Sequence, residues 1–170
     1  MTGFSKTAAF AAAMIVFSGC AASETSVSTS STMAVNPIKS YESVSEMAEA
    51  VEWTFQIPTV LPEKYELVAC YTVSGKIVSL EYSDGEREAL YRTALFSEEY
   101  DDEIGISGNY TVFAKKEVVQ VGDDAVTFSY DSTDTGCLAL WNDEEMLYSF
   151  SGLTMAETET CILSLTEVDS

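Results

Sequence analysis

The chain has 170 residues, with 28 acidic and 8 basic side chains, no histidine and a formal charge of −20. A surface this acidic repels nucleic acid and anionic lipid headgroups and attracts cations, which argues against a DNA- or RNA-binding role. Without histidine there is no Ser-His-Asp or Cys-His nucleophilic system and no imidazole metal ligand, so any general base is a carboxylate, tyrosine or lysine.

At the N-terminus, Lys6 precedes an apolar run from Ala8 to Phe17, followed by Phe17-Ser18-Gly19-Cys20. A basic residue, a short apolar stretch and small residues at a cut are the layout of a secretory signal. The run is too short to span a bilayer. Phe17 to Cys20 resembles the lipobox of bacterial lipoproteins, although Phe17 stands where leucine is usual. The resemblance implies a signal peptide over residues 1–19. It also implies lipidation of Cys20 and a membrane attachment through that lipid, in the extracytoplasmic bacterial envelope. Removing the signal takes away Lys6 and no acid, so the remainder is more negative still.

Residues 20–40 are rich in Ser, Thr and Ala without a hydrophobic period, the composition of a flexible tether. One domain is expected over 41–170, where 9 Tyr, 8 Phe and 2 Trp in the chain supply ample material for a core. Ser43-Val44-Ser45-Glu46 fits a capping box, with Ser43 capping the Glu46 amide and Glu46 reaching back. Val44, Met47, Ala48, Val51 and Phe55 follow at helical spacing, predicting a helix from Val44 to about Trp53. Pro58 and Pro62 end it and force an extended segment.

The period then changes to two. Tyr65 to Ser74, Lys76 to Ser83 and Glu86 to Phe96 read as three strands joined at Ser74-Gly75 and Asp84-Gly85, an antiparallel meander. Val78, Leu80 and Tyr82 share one face. Ser97 to Gly108 reads as an acidic loop. Strands are expected at Asn109 to Val121, Ala125 to Asp131, Gly136 to Trp141 and Glu145 to Phe150, with turns at Gly122-Asp123 and Asn142-Asp143-Glu144. Thr154-Met155-Ala156-Glu157 is a second capping box opening a helix that carries Cys161, Ile162, Leu165 and Val168. These elements predict an α+β fold. It has an antiparallel sheet of about six to seven strands, an N-terminal and a C-terminal helix, and helices on one face or end.

Several segments resemble a family of bacterial exported domains of unknown function, numbered four-three-six-seven, found in lipoproteins and behind anti-sigma-factor segments. The residues that carry the likeness are Leu61-Pro62-Glu63-Lys64-Tyr65-Glu66-Leu67, Ile106-Ser107-Gly108-Asn109-Tyr110, Ala139-Leu140-Trp141, Tyr148-Ser149-Phe150 and Leu153-Thr154. The likeness spans about residues 43–166, and Lys64 stands where the family has glycine. It implies an α+β domain similar in architecture to PsbP-like folds, and it brings no catalytic residues and no cofactor.

Three functional readings follow. The first is a non-enzymatic domain that binds a small ligand or protein partner, or senses envelope conditions. The second is a calcium-binding structural or adhesion module. Its candidate ligands are Asp101, Asp102 and Glu103 in the run Glu98 to Glu103, joined by Asp143-Glu144-Glu145, since calcium takes six to eight oxygens. The run lacks EF-hand spacing, and a solvated charge run is the plainer account. The third is a small carboxylate-based hydrolase, for which Glu81 with Arg92, or Glu86 with Glu88, offer pairs. Cross-strand ion pairs explain these charges more simply. Tyr71, Tyr82, Tyr91, Tyr110, Trp141 and Tyr148 form either a stacking surface for ligand or, by their period, a core. Cys70, Cys137 and Cys161 lack C-x-x-C spacing and allow at most one internal disulfide with one thiol left over; their apolar contexts favour buried free thiols.

Overall fold

The computed structural model describes residues 37–97 and 103–168. Ten strands and three helices follow in order. They are β1 (Ile38–Tyr41), α1 (Val44–Ala50), β2 (Gln56–Pro58), β3 (Glu66–Val73), β4 (Ile77–Ser83) and β5 (Glu88–Leu95). Then come α2 (Glu103–Ser107), β6 (Lys115–Val121), β7 (Asp124–Tyr130), β8 (Leu138–Asn142), β9 (Met146–Ser151), α3 (Met155–Ile162) and β10 (Leu165–Glu167). Eight strands form one antiparallel sheet in the order β1-β3-β4-β5-β9-β8-β7-β6, and β10 pairs with β2 in a small second sheet. The α+β class and the antiparallel sheet match expectation. The main sheet is wider than the six to seven strands expected.

The sheet is two meanders joined edge to edge. The first, β3-β4-β5, turns at the dipeptides legible in the sequence. The second, β6-β7-β8-β9, folds back so that its last strand lies against β5, pairing Tyr91 with Phe150 and Thr93 with Tyr148. β1 extends the first meander, pairing Tyr41 with Cys70, so ordered structure begins before the expected Tyr41 start. Period-two alternation gives the sheet two unlike faces. Tyr41, Cys70, Leu80, Tyr91, Phe150, Ala139 and Phe128 form one transverse row on the core face. Met47 and Ala48 of α1 and Cys161 and Ile162 of α3 join that core.

Two helices are shorter than expected, for identifiable reasons. Ser43 accepts from the Glu46 amide at 3.1 Å, as predicted, but Glu46 reaches back to the Glu42 amide at 2.8 Å rather than to Ser43. α1 then stops at Ala50, because Val51 is already extended. β-branched Val51 fits an extended backbone better than a third helical turn. In α3 both halves of the capping box form: the Glu157 amide donates to Thr154 Oγ1, and Glu157 Oε2 accepts from the Thr154 amide at 2.9 Å. Burial alone would raise the Glu157 pKa, but these bonds and Arg87 outweigh it and hold the carboxyl below its ordinary value. α3 ends at Ile162. Leu165 belongs to β10 and Val168 donates its amide to Phe55 O, so the expected long C-terminal helix gives way to strand pairing.

The helices are not confined to one face. α2, unpredicted in the acidic loop, packs on the opposite face, where Ile106 meets Ile77, Ala94 and Leu147. The aromatic set divides likewise. Tyr82, Tyr91, Trp141 and Tyr148 are core residues, Tyr71 is half-buried on the outer face, and Tyr110 is exposed. Cys70, Cys137 and Cys161 are free buried thiols, and burial pushes Cys161 up to about 12.

Lys64, which replaces the glycine of the resembled entry motif, has φ +72°, and the Tyr65 amide donates to Pro62 O at 3.1 Å. This is a turn whose third residue favours glycine. A left-handed residue costs about 1–2 kcal/mol in strain, and glycine's extra unfolded entropy returns about 0.5–1 kcal/mol of that. Lys64→Gly is therefore expected to stabilise the domain by up to about 1 kcal/mol, read as a higher urea midpoint. A lower midpoint would mean that the lysine side chain has a role that its backbone does not reveal.

Candidate functional site

Two surfaces carry polar chemistry. The first is a cleft of about 520 Å³ lined by Thr54, Phe55, Gln56, Asp143, Glu144, Glu145, Met146, Tyr148 and Glu167. One wall is the small sheet. Gln56 pairs with Glu167, and the fully buried Tyr91 donates its hydroxyl to Gln56 O at 2.8 Å, fastening β2 to the main sheet. The other wall is the β8–β9 turn. Asp143 Oδ1 accepts from the Glu145 and Met146 amides at 2.8 and 2.7 Å, and Oδ2 accepts from the Tyr148 hydroxyl at 3.0 Å. Trp141 stacks on Tyr148 with ring centroids 5.1 Å apart, so the aromatic layer fixes the turn. Among the described residues, four carboxylates line the cleft and no basic side chain does.

Asp124 starts β7, and Asp143 follows the end of β8, the strand paired with β7. Partial burial raises the Asp124 pKa first, and repulsion from Asp143 and Asp123 adds to it. A raised folded pKa means that the ionised form destabilises the fold. Stability from this group is complete below the unfolded pKa and is lost as pH rises through the folded value. Asp124→Asn is thus expected to raise the melting temperature at neutral pH, by an amount worth at most about 1 kcal/mol for so exposed a group. The gain should fade as pH falls towards about 4. A pH-independent gain would assign it to packing rather than to charge.

The second surface is the outer face. Tyr71, Ser79, Arg92, Ser149, Leu140, Thr127 and Val118 form a transverse row there. Arg92 Nη1 donates to Ser107 O at 2.8 Å, and Tyr71 donates to Glu81 Oε1 at 2.9 Å. Glu81 and Arg92 share this face diagonally, since Glu81 pairs with Leu90 and Arg92 with Ser79. The expected cross-strand ion pair is therefore replaced by hydrogen bonds to Tyr71 and to the end of α2. Glu86 is exposed in the β4–β5 turn, where its amide donates to Asp84, and Glu88 begins β5. A smaller cleft of about 280 Å³ beside them is lined by Val68, Glu81, Glu88, Leu90 and Ser151 among others.

Of the calcium candidates, Asp101 and Asp102 lie outside the described residues, as does Cys20, and Glu103 opens α2. Among the described residues no three Cys, Asp or Glu side chains converge in a metal-ligating group. Asp143, Glu144 and Glu145 face Glu167 instead, a neighbour 22 residues or more away in sequence that no local pattern identifies. The carboxylate pair Asp124–Asp143 has one raised pKa, but both Asp143 oxygens are engaged in holding its own turn. Comparison with protein-family models, with curated proteins and with solved structures finds no match.

Proposed function

We propose that this chain is a lipid-anchored, extracytoplasmic protein whose domain is a non-enzymatic binding module, and that the acid-lined cleft receives a cationic segment of a protein partner. What supports the anchor is the signal-like N-terminus ending at Cys20. The observation that carries the binding reading is the cleft: Asp143, Glu144, Glu145 and Glu167 surround about 520 Å³ beside the buried rings of Phe55 and Tyr148. Carboxylates of one sign in a concavity reinforce one another's field and concentrate cations there. Phe55, Met146 and Tyr148 are buried behind the cleft and form its floor rather than an open apolar surface. Asp143 is held by its turn bonds and keeps the other acids in place, so it is a positioning residue.

The test is titration of the chain with an octalysine peptide at low salt. The Glu144→Gln, Glu145→Gln, Glu167→Gln variant is expected to weaken binding at least tenfold. A matched variant of exposed acids elsewhere, Glu42→Gln, Glu63→Gln, Glu66→Gln, should change it by less than threefold. Equal losses in both would mean attraction to overall charge and would remove the cleft from consideration. A calcium-selective rise in melting temperature, absent with magnesium, would favour the calcium-module reading instead. Incorporation of labelled palmitate that Cys20→Ala abolishes is expected for the anchor, and an unlabelled, freely secreted product would sink it.

A further inference from the structure

The smaller cleft of about 280 Å³ lies on the outer face, at the end of the strands away from α2, and shares no residue with the acid-lined cleft. Its floor is one register row, in which Glu81 pairs with Leu90 and Leu90 with Ser151. Glu88 stands two residues before Leu90 on β5, so it is diagonal to Glu81 on the same face. Diagonal neighbours in a sheet lie about 7–8 Å apart, close enough for two carboxylates to reach one small cation between them. The remaining wall comes from a bulge. Leu67 pairs with Tyr82 and Ala69 with Glu81, which leaves Val68 as an extra residue without a partner on β4. A bulge bends its strand and re-aims a side chain, and Val68, 59% exposed, lines the cleft.

We infer that this cleft binds a small primary ammonium compound with a short apolar body. An ammonium group has three N–H donors and no acceptor. The cleft offers three acceptors, the carboxylates of Glu81 and Glu88 and the hydroxyl of Ser151. Val68 and Leu90 supply apolar surface for the rest of the ligand. The charge balance also points to a cation. Glu81 is half-buried, and among the described residues neither it nor Glu88 has an ion-pair partner. Arg92, the cation expected to neutralise Glu81, gives its Nη1 hydrogen to Ser107 O at the end of α2 instead. Tyr71 donates to Glu81 Oε1 at 2.9 Å, which fixes the carboxylate and leaves Oε2 for the ligand. A half-buried charge without a partner is costly, and a bound ammonium offsets that cost.

Size and donor set narrow the class. Pockets for drug-sized ligands run from about 300 to 1,000 Å³, so a cleft of about 280 Å³ suits a smaller molecule. A calcium ion is a poorer fit, because it takes six to eight oxygens and among the described residues no three acidic or thiol side chains converge. A quaternary ammonium has no N–H and would leave all three acceptors unpaired. The net charge of −20 attracts any cation at long range. Selection therefore rests on the three donors and the apolar body, not on charge alone.

The test is titration of the full-length chain with n-butylammonium at about 150 mM salt, where the Debye length is about 8 Å. Binding is read by calorimetry and by NMR of the Val68 and Leu90 methyl groups. Saturable one-to-one binding that shifts both sets of methyls is expected. Lengthening the ligand from ethyl- to butylammonium should tighten binding about two- to fourfold per methylene. Glu81→Gln keeps an acceptor for Tyr71 but loses the charge, and should weaken binding about tenfold or more. Ser151→Ala should weaken it about threefold. Glu63→Gln, an exposed acid elsewhere, should change it by less than about twofold. Melting curves check the fold of each variant, and Glu88→Gln, at the exposed start of β5, carries the same expectation if Glu81→Gln melts early. Octalysine binding at the larger cleft should be unchanged in Glu81→Gln, so the two proposals fail separately. Shifts that do not saturate, equal binding of tetramethylammonium or n-butanol, or equal effects of Glu81→Gln and Glu63→Gln would each overturn the proposal. A loss of octalysine binding in Glu81→Gln would overturn it too, by making a polypeptide lysine the occupant.

Discussion

Gly152→Ala is expected to destabilise the domain by about 2–6 kcal/mol, combining backbone strain with overpacking. Gly152 follows β9 at φ +98°, and a Cβ there would run into Glu88 O and the Ala89 Cα at the start of β5. These are backbone atoms of the strand that joins the two meanders, so no side chain can swing aside. Gly85 provides the control, with φ +92° but open space around its added Cβ. Gly85→Ala should cost only the conformational strain, about 1–2 kcal/mol. Urea unfolding of both variants separates the two contributions. Equal costs would show that the strand contact at Gly152 yields easily.

Phe150→Ala is expected to cost about 3–5 kcal/mol. Phe150 is fully buried on β9, in register with Tyr91 of β5 and Ala139 of β8, with its ring 5.6 Å from that of Tyr91 and 6.4 Å from that of Tyr82. It therefore fills the seam between the meanders. A domain of this size has roughly 5–15 kcal/mol of stability in all, so the variant should be only marginally folded at 37 °C. The urea midpoint should fall with an unchanged slope. Phe150→Leu, which keeps most of the volume, should cost less than about 1.5 kcal/mol. A loss below about 1 kcal/mol on truncation to alanine would mean that the neighbouring rings collapse into the space.

The elements legible in the sequence are those written in local chemistry. Asp84-Gly85 and Gly122-Asp123 mark hairpins that form at those places, and Thr154 with Glu157 marks a helix start that forms with both halves of its box. Alternation correctly puts Val78, Leu80 and Tyr82 on one buried face. The errors fall where a local signal ends and a distant partner takes over. Leu165 and Val168 keep helical spacing with Ile162, yet pairing to Gln56–Pro58 draws them into β10 and beyond. Ile106 lies in an acidic segment that reads as loop, but an apolar outer face formed by Ile77, Ala94 and Leu147 gives it a place to bury.

The candidate cleft divides the same way. Asp143, Glu144 and Glu145 stand out as acids in a turn, and Asp143 is legible as the residue that bonds the following amides. That Glu167 and Gln56 complete the wall depends on the β2–β10 pairing, which joins segments more than 100 residues apart. Residue order, turn chemistry and periodicity are sufficient for the acidic surface, the buried thiols, the first meander and the capped starts of α1 and α3. The seam between β5 and β9 and the meeting of four acids around one cleft come from chain closure. A sequence period specifies which face of a strand is buried, whereas which distant strand lies beside it depends on the joint packing of all the buried rings.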